Sequence, residues 1–197
     1  MYTRRAAGAF ASTPAFRRAG AMFATLTLCG MVAQFAVSAG AGEAQQARTA
    51  RGCLDVALAA ADAWAEDARL VWVENDAPVD EAGRAAAWGF LFYSPARGTM
   101  RSYSVQGEAL RLAEDHAVTA PAPGLAEWLD SSAVVRKAWD RAREHAPAGC
   151  TLESLLLVRG VFAPEAAWVA VFARGDSPRL YVVCDARSGD VLRDWRG

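Results

Sequence analysis

Hydrophobic positions change period several times along the chain, and each change marks an element. Leu54, Leu58, Ala61 and Ala65 recur at helical spacing, with Asp55, Asp62, Glu66 and Asp67 on the opposite side, which predicts a helix starting near Cys53. The short β-prone run Leu70-Val71-Trp72-Val73 follows, then the turn-like Glu74-Asn75-Asp76-Ala77-Pro78. From Ala86 to Tyr93 the pattern alternates: Trp88, Phe90 and Phe92 fall on one face of a strand, Leu91 and Tyr93 on the other. A third strand is predicted from Met100 to Val105, broken at Gln106-Gly107-Glu108, with Leu110 and Leu112 extending the sheet beyond.

Pro121, Pro123 and Gly124 mark an interior linker. Beyond it the order repeats. A helix is predicted over 127–145, with Asp130, Ser131 and Ser132 as amino-terminal caps and Val135, Ala138, Trp139 and Ala142 as its apolar face. Strands are predicted over 152–158, 167–172 and 180–185, the last turning through Ser188-Gly189-Asp190 into Val191-Leu192. The two runs also share sequence: AAWGFLFYSP from Ala86 parallels AAWVAVFARG from Ala166, and GEALRLAED from Gly107 parallels GDVLRDW from Gly189. This reads as an internal duplication of an α-β-β-β unit, residues 53–120 and 127–197, after a linker at 42–52.

The residues before that linker differ from the rest. Residues 1–41 hold four arginines and no acid, and Ala19 to Gly42 carries no charge. Basic residues, an apolar run and the small residues Ser38-Ala39-Gly40-Ala41 have the layout of a secretory signal cleaved after Ala41. The run is also long enough to serve as an uncleaved anchor. Either way the body is expected outside the cytoplasm, periplasmic or secreted, or held at the inner membrane facing the periplasm. Membrane contact is expected only through such an uncleaved segment. Cys29 follows Leu28, where a lipoprotein leader has a small residue, so it reads as an ordinary apolar-run cysteine.

Of the 197 residues, 53% are hydrophobic and 22% charged, which excludes a disordered tail and a polytopic membrane protein. From Gly42 onward 17 basic residues stand against 22 acidic ones. A mildly acidic body has no cationic surface for phosphates, so nucleic acid is not an expected partner.

Candidate chemistry is sparse. Cys53, Cys150 and Cys184 remain once the leader is set aside, allowing at most one internal disulfide, most readily Cys53 with Cys150; Cys184 in an apolar strand reads as an inert thiol. No C-x-x-C pair exists and neither His116 nor His145 sits in a cysteine cluster, so no metal or other cofactor is expected. A Cys-His enzyme built on Cys150 or Cys184 with His145 lacks the exposed, electropositive setting a nucleophilic thiol needs. Asp185 and Asp190 read as turn residues rather than calcium ligands. Of the seven tryptophans, Trp88, Trp139 and Trp168 fall at core periodicity, whereas Trp128 and Trp195 sit beside charges at element ends and are the candidate binding residues.

The closing segment RLYVVCDARSGDVLRDW resembles the end of PepSY domains, in which a hydrophobic strand runs into an Asp-Ala-x-Ser/Thr-Gly-acid-hydrophobic turn. Here those positions are Asp185, Ala186, Arg187, Ser188, Gly189, Asp190, Val191 and Leu192. The resemblance spans roughly residues 127–195; the first half shares only Gly107 and Glu108, with Val105 and Gln106 where the family has Asp-Ala. It implies an α+β fold of two cystatin-like αβββ units, each a helix packed on an antiparallel meander. It also implies a non-enzymatic, exported binding protein with a peptidase or other envelope protein as partner. A small-ligand carrier, with a pocket between helix and sheet or between the units, is the alternative.

Overall fold

The computed structural model describes residues 46–118, 123–145 and 149–197. The expected leader at 1–41, with Cys29, lies outside the described residues, so the expected signal or anchor is not seen.

The first helix, α1 (Ala50–Trp64), begins three residues before the periodicity predicts. The Thr49 side chain caps it by accepting from the Gly52 N–H. Its buried stripe is Ala50, Cys53, Ala57, Ala61 and Trp64, while Leu58 is exposed. The predicted face was thus rotated. Ala50, Cys53, Ala57 and Ala61 let the helix lie close to the sheet and Trp64 fills the space at its end, while Leu54 packs at the core margin and Leu58 faces solvent.

Four strands follow: β1 (Arg69–Asn75), β2 (Ala87–Ser94), β3 (Thr99–Gln106) and β4 (Ala109–Ala117). The second helix, α2 (Ser131–His145), is followed by β5 (Thr151–Arg159), β6 (Ala166–Ala173), β7 (Leu180–Asp185) and β8 (Val191–Arg196). Each helix therefore leads four strands, not three. The residues read as extensions at Leu110 and Val191 are full strands paired along β3 and β7.

All eight strands form one antiparallel sheet in the order β4-β3-β2-β1-β5-β6-β7-β8. The two meanders expected as separate units share a sheet because β1 pairs with β5, Glu74 opposite Leu156. The architecture is α+β, two helices on an eight-stranded antiparallel sheet.

The irregularities match between the two runs of strands. A bulge between Leu70 and Trp72 interrupts the β1–β2 register, and one between Leu152 and Ser154 interrupts β5–β6. The β3–β4 register shifts between Ser104 and Val105, and the β7–β8 register between Val183 and Cys184. Trp88 Nε1 donates to the Arg48 carbonyl at 2.8 Å and Trp168 Nε1 to the Leu129 carbonyl at 2.8 Å. In each case the acceptor lies two residues before the helix, and the two indoles meet edge to face at 6.4 Å.

The helices meet at their amino termini. Asp130 Oδ1 accepts from the backbone N–H of Ser131 at 2.8 Å and of Arg51 at 3.0 Å, so one carboxylate serves both helix starts. The buried Ser131 hydroxyl accepts from the Ala50 N–H and donates to the Gly83 carbonyl. Gly83 has φ +75, and a Cβ there would lie 2.6 Å from the Ser131 carbonyl oxygen, so only glycine fits.

Both helices cover the same sheet face. α1 packs on β2 and β3, α2 on β6 and β7. One core of Val73, Trp88, Phe90, Phe92, Tyr103, Leu155, Leu157, Trp168 and Phe172 runs beneath them. Residues that alternate with these point away from the helices.

Candidate functional site

Trp128 is buried, against the expectation for a residue beside charges. It meets Trp168 edge to face at 5.8 Å, and the Arg51 guanidinium lies 4.2 Å from its ring centre. Arg51 also donates to the Trp128 carbonyl. The neighbouring charge that marked Trp128 as a surface candidate instead covers its ring.

Trp195 lies on the helix-free face and is half-buried. Tyr181 stacks on it at 5.0 Å, with planes 4° apart, and Phe162 stacks at 6.0 Å. The Arg193 guanidinium sits 5.0 Å from its ring centre and donates to the Phe162 carbonyl. This group tops a second apolar cluster of Ala167, Val169, Val171 and Val183. The two tryptophans singled out from the sequence thus stand on opposite faces of the sheet.

On the same helix-free face the first-half strands carry a different surface. Val73 belongs to the core beneath the helices, so Trp72 and Glu74 project the other way. Glu74 pairs with Gly89 of β2 on one side and Leu156 of β5 on the other, at the middle of the sheet. Burial pushes its carboxyl up to about 7; the Trp72 side chain beside it offsets part of that rise, and negative Asp76 adds to it. Trp72 lies close but short of hydrogen-bond geometry: Trp72 Nε1 and Glu74 Oε1 are both buried without a partner among the described residues.

Asp76 Oδ1 occupies the space above Gly89, 2.7 Å from where a Cβ would stand. Glycine at 89 is what lets a carboxylate lie on the sheet. The protein around Asp76 raises its carboxyl, but the residue is exposed and solvent screens that effect. Glu74 is therefore the group whose charge state the fold controls.

Farther along this face Ser102 Oγ and His116 Nε2 are 2.8 Å apart. That is nucleophile-to-base spacing. Ser102 is only 2% exposed, however, so a substrate carbonyl has no approach to it.

The other chemistry weighed from the sequence is used internally. Cys53 is a free, buried thiol whose Sγ donates to the Gly107 carbonyl at 3.7 Å, so the Cys53–Cys150 disulfide is not formed. Burial raises the Cys53 thiol and pushes Cys184 up to about 12. His145 Nε2 lies 2.7 Å from Asp194, which also takes Arg141. Asp185 accepts from the backbone N–H groups of Arg187 and Ser188, and Asp190 pairs with Lys137 at 2.7 Å. Those bonds hold both carboxyls below their ordinary range. The groove between α2 and β8 is lined by Lys137, Arg141, Glu144 and Asp194, whose charges pair with one another or with Asp190. Among the described residues no three metal-ligating side chains cluster.

Sequence reasoning passed over Trp72 and Glu74. The signal was present: an acid alternating with valines in a β-prone run puts a carboxyl on a sheet face rather than in a turn.

No protein-family model matches the chain, and no curated protein is significantly similar to it. A solved structure from Clostridium difficile 630, titled a "putative lipoprotein", is similar in fold, with TM-score 0.51 and 8% identity. The match covers 74% of this chain and 93% of that one. At that identity the likeness is one of fold. No helix among the described residues is long and apolar enough to cross a membrane.

Proposed function

We propose that the chain is an exported, non-enzymatic binding protein built by internal duplication, with its partner on the helix-free face of the sheet. The observation that carries this is the distribution of elements: both helices lie on one face, while the other, with Trp72, Glu74 and the Trp195 group, is covered by no helix among the described residues. A protein or peptide laid across that face would bury the stacked Tyr181, Trp195 and Phe162 rings.

The duplication is supported by matched bulges in β1 and β5, matched register shifts near the sheet edges, and the paired Trp88 and Trp168 hydrogen bonds. The PepSY resemblance is supported by the turn itself, where Asp185 closes on Arg187 and Ser188 and Gly189 takes φ +73. Export is read from the basic, then apolar, leader and sits comfortably with a fold neighbour named as a lipoprotein. The absence of enzymatic activity is read from the buried Ser102 and the raised thiol of Cys184. A peptidase or an envelope protein is the partner class. The carrier alternative is the weaker reading, because five tryptophans, Trp64, Trp88, Trp128, Trp139 and Trp168, fill the space between helices and sheet.

The test uses the protein expressed with its leader, recovered from the cell envelope and immobilised against envelope extract. Met100→Arg and Ser154→Arg alter the helix-free face, and Arg136→Glu alters the outer face of α2. A captured partner that is lost with the first two variants and kept with the third supports the reading. Capture that is indifferent to all three, or lost only with Arg136→Glu, overturns it.

A further inference from the structure

The two edges of the sheet are not alike. On β8 the charged side chains are already engaged: Asp194 holds Arg141 and His145, and Arg193 lies along Trp195. On β4 every residue except His116 is exposed, and Leu110 and Leu112 are each 43% accessible. Its outer edge carries no strand partner among the described residues. Exposed edges are normally blunted by repelling or inward-pointing charges, prolines, bulges or a covering loop. β4 carries one bulge, at Arg111, and reads Ala-Leu-Arg-Leu-Ala-Glu-Asp-His-Ala, with a basic residue before its midpoint and acidic ones after it, so its charges complement rather than repel a second antiparallel copy.

We propose that β4 is a self-association edge, pairing antiparallel with β4 of a second copy of this chain about a two-fold axis at Ala113. The strand runs from Ala109 to Ala117, so Ala113 is its midpoint and pairing about it uses the full strand. In that register Arg111 of each copy stands opposite Asp115 of the other, twice over, and Leu112 stands opposite Glu114, whose aliphatic stem covers it. Sliding one strand by two residues puts Arg111 or Asp115 opposite Ala113, and by four puts Arg111 opposite Arg111 or Asp115 opposite Asp115, so charge selects the full-length register. Arg111 has no ion pair among the described residues and is the extra residue of the bulge between Leu110 and Leu112, so its side chain is uncommitted. Asp115 reaches Arg101 at 3.5 Å and keeps an oxygen for a second cation. The chain already contains the same kind of junction at β1–β5, where two four-stranded meanders join antiparallel at their edges. Pairing at β4 would extend one sheet through both copies, with all four helices on the same face in sequence along it.

Sedimentation velocity over ~1–100 µM on the envelope-recovered protein reads the association. A concentration-dependent dimer is expected. Arg111→Asp alone and Asp115→Arg alone weaken it about tenfold or more, since each puts like charges opposite one another twice. The double exchange, Arg111→Asp with Asp115→Arg, restores it. Ala113→Cys forms an intermolecular disulfide under mild oxidation, because the two-fold axis brings that position against itself, while Ala109→Cys does not. Circular dichroism of each variant separates misfolding from lost association, and the cross-linking pair reads the interface without altering a charge. A chain that stays monomeric to 100 µM, a double exchange no better than the single ones, or equal cross-linking at 109 and 113 overturns the proposal.

Discussion

Glu74→Gln isolates the energy stored in the centre of the sheet. The Glu74 carboxyl rises from 4.5 in the unfolded chain to about 7 in the fold. The native state therefore holds a proton there that the unfolded chain releases. The stability this confers is fully present below about pH 4.5 and is lost as pH rises through 7. The shift corresponds to about 3 kcal/mol; because the side chain keeps some solvent contact, about 2–3 kcal/mol is the working figure. Glutamine keeps the shape and never ionises. At pH 4 it should match the native protein. At pH 8 it should be more stable by that amount, raising Tm by about 5–10 °C for a domain of this size. Thermal unfolding at half-unit steps from pH 4 to 8 gives the difference curve, which should climb between pH 5 and 7. Asp67, Asp185 and Asp190, whose carboxyls lie below their ordinary range, pull the other way and lose stability as pH falls, but they are common to both proteins and cancel. A difference flat across that range would refute the argument that Glu74 is buried at a cost.

Other substitutions test the helix junction and the core. Gly83→Ala should cost about 2–4 kcal/mol by urea unfolding, against ~1 kcal/mol for Gly98→Ala, because both have positive φ but only Gly83 meets the Ser131 backbone. Asp130→Ala removes the acceptor at both helix starts and should cost about 2 kcal/mol, roughly twice Thr49→Ala, in the same assay. Trp168→Phe leaves the Leu129 carbonyl without its indole donor and should cost about 1–3 kcal/mol, whereas the Arg48 carbonyl keeps the Ala85 N–H after Trp88→Phe, which should cost less; a lower urea midpoint for Trp88→Phe than for Trp168→Phe would refute this. With its thiol pushed up to about 12, Cys184 should resist iodoacetamide at pH 8 in native protein and react on unfolding, followed by mass spectrometry.

Local pattern carried much of the fold. Trp88, Phe90 and Phe92 alternate in sequence and lie together in the core, and the predicted strand at 180–185 is β7. The α2 stripe of Val135, Ala138, Trp139 and Ala142 is buried as its spacing requires. Errors came where side-chain size misled. Leucine at 58 outweighs alanine at 57 on any hydrophobic scale, but close packing on the sheet selects the alanine face. The pairing of β1 with β5 has no local signature at all, since neither strand's alternation says which neighbour it takes. A charge beside Trp128 in sequence reads as surface, and only tertiary structure shows the residue buried with Arg51 folding over the indole. Glu74 went unnoticed because acids beside Asn and Asp read as turn, while β1 continues through Asn75.

The β1–β5 junction has a bearing on how the chain acquires its structure. Of the paired strands it joins the two most distant in sequence, Trp72 to Val158, whereas every other strand pairing is between neighbours in the chain. The first meander can thus form while the second is still being made, and its β1 edge then waits with its backbone groups unpaired. Closure of that edge is the late, slow event, and until it occurs the half-made protein presents a ready template for the wrong strand. On the proposed export route, amino terminus first, the interval before β5 emerges is when the chain most needs a chaperone at its side.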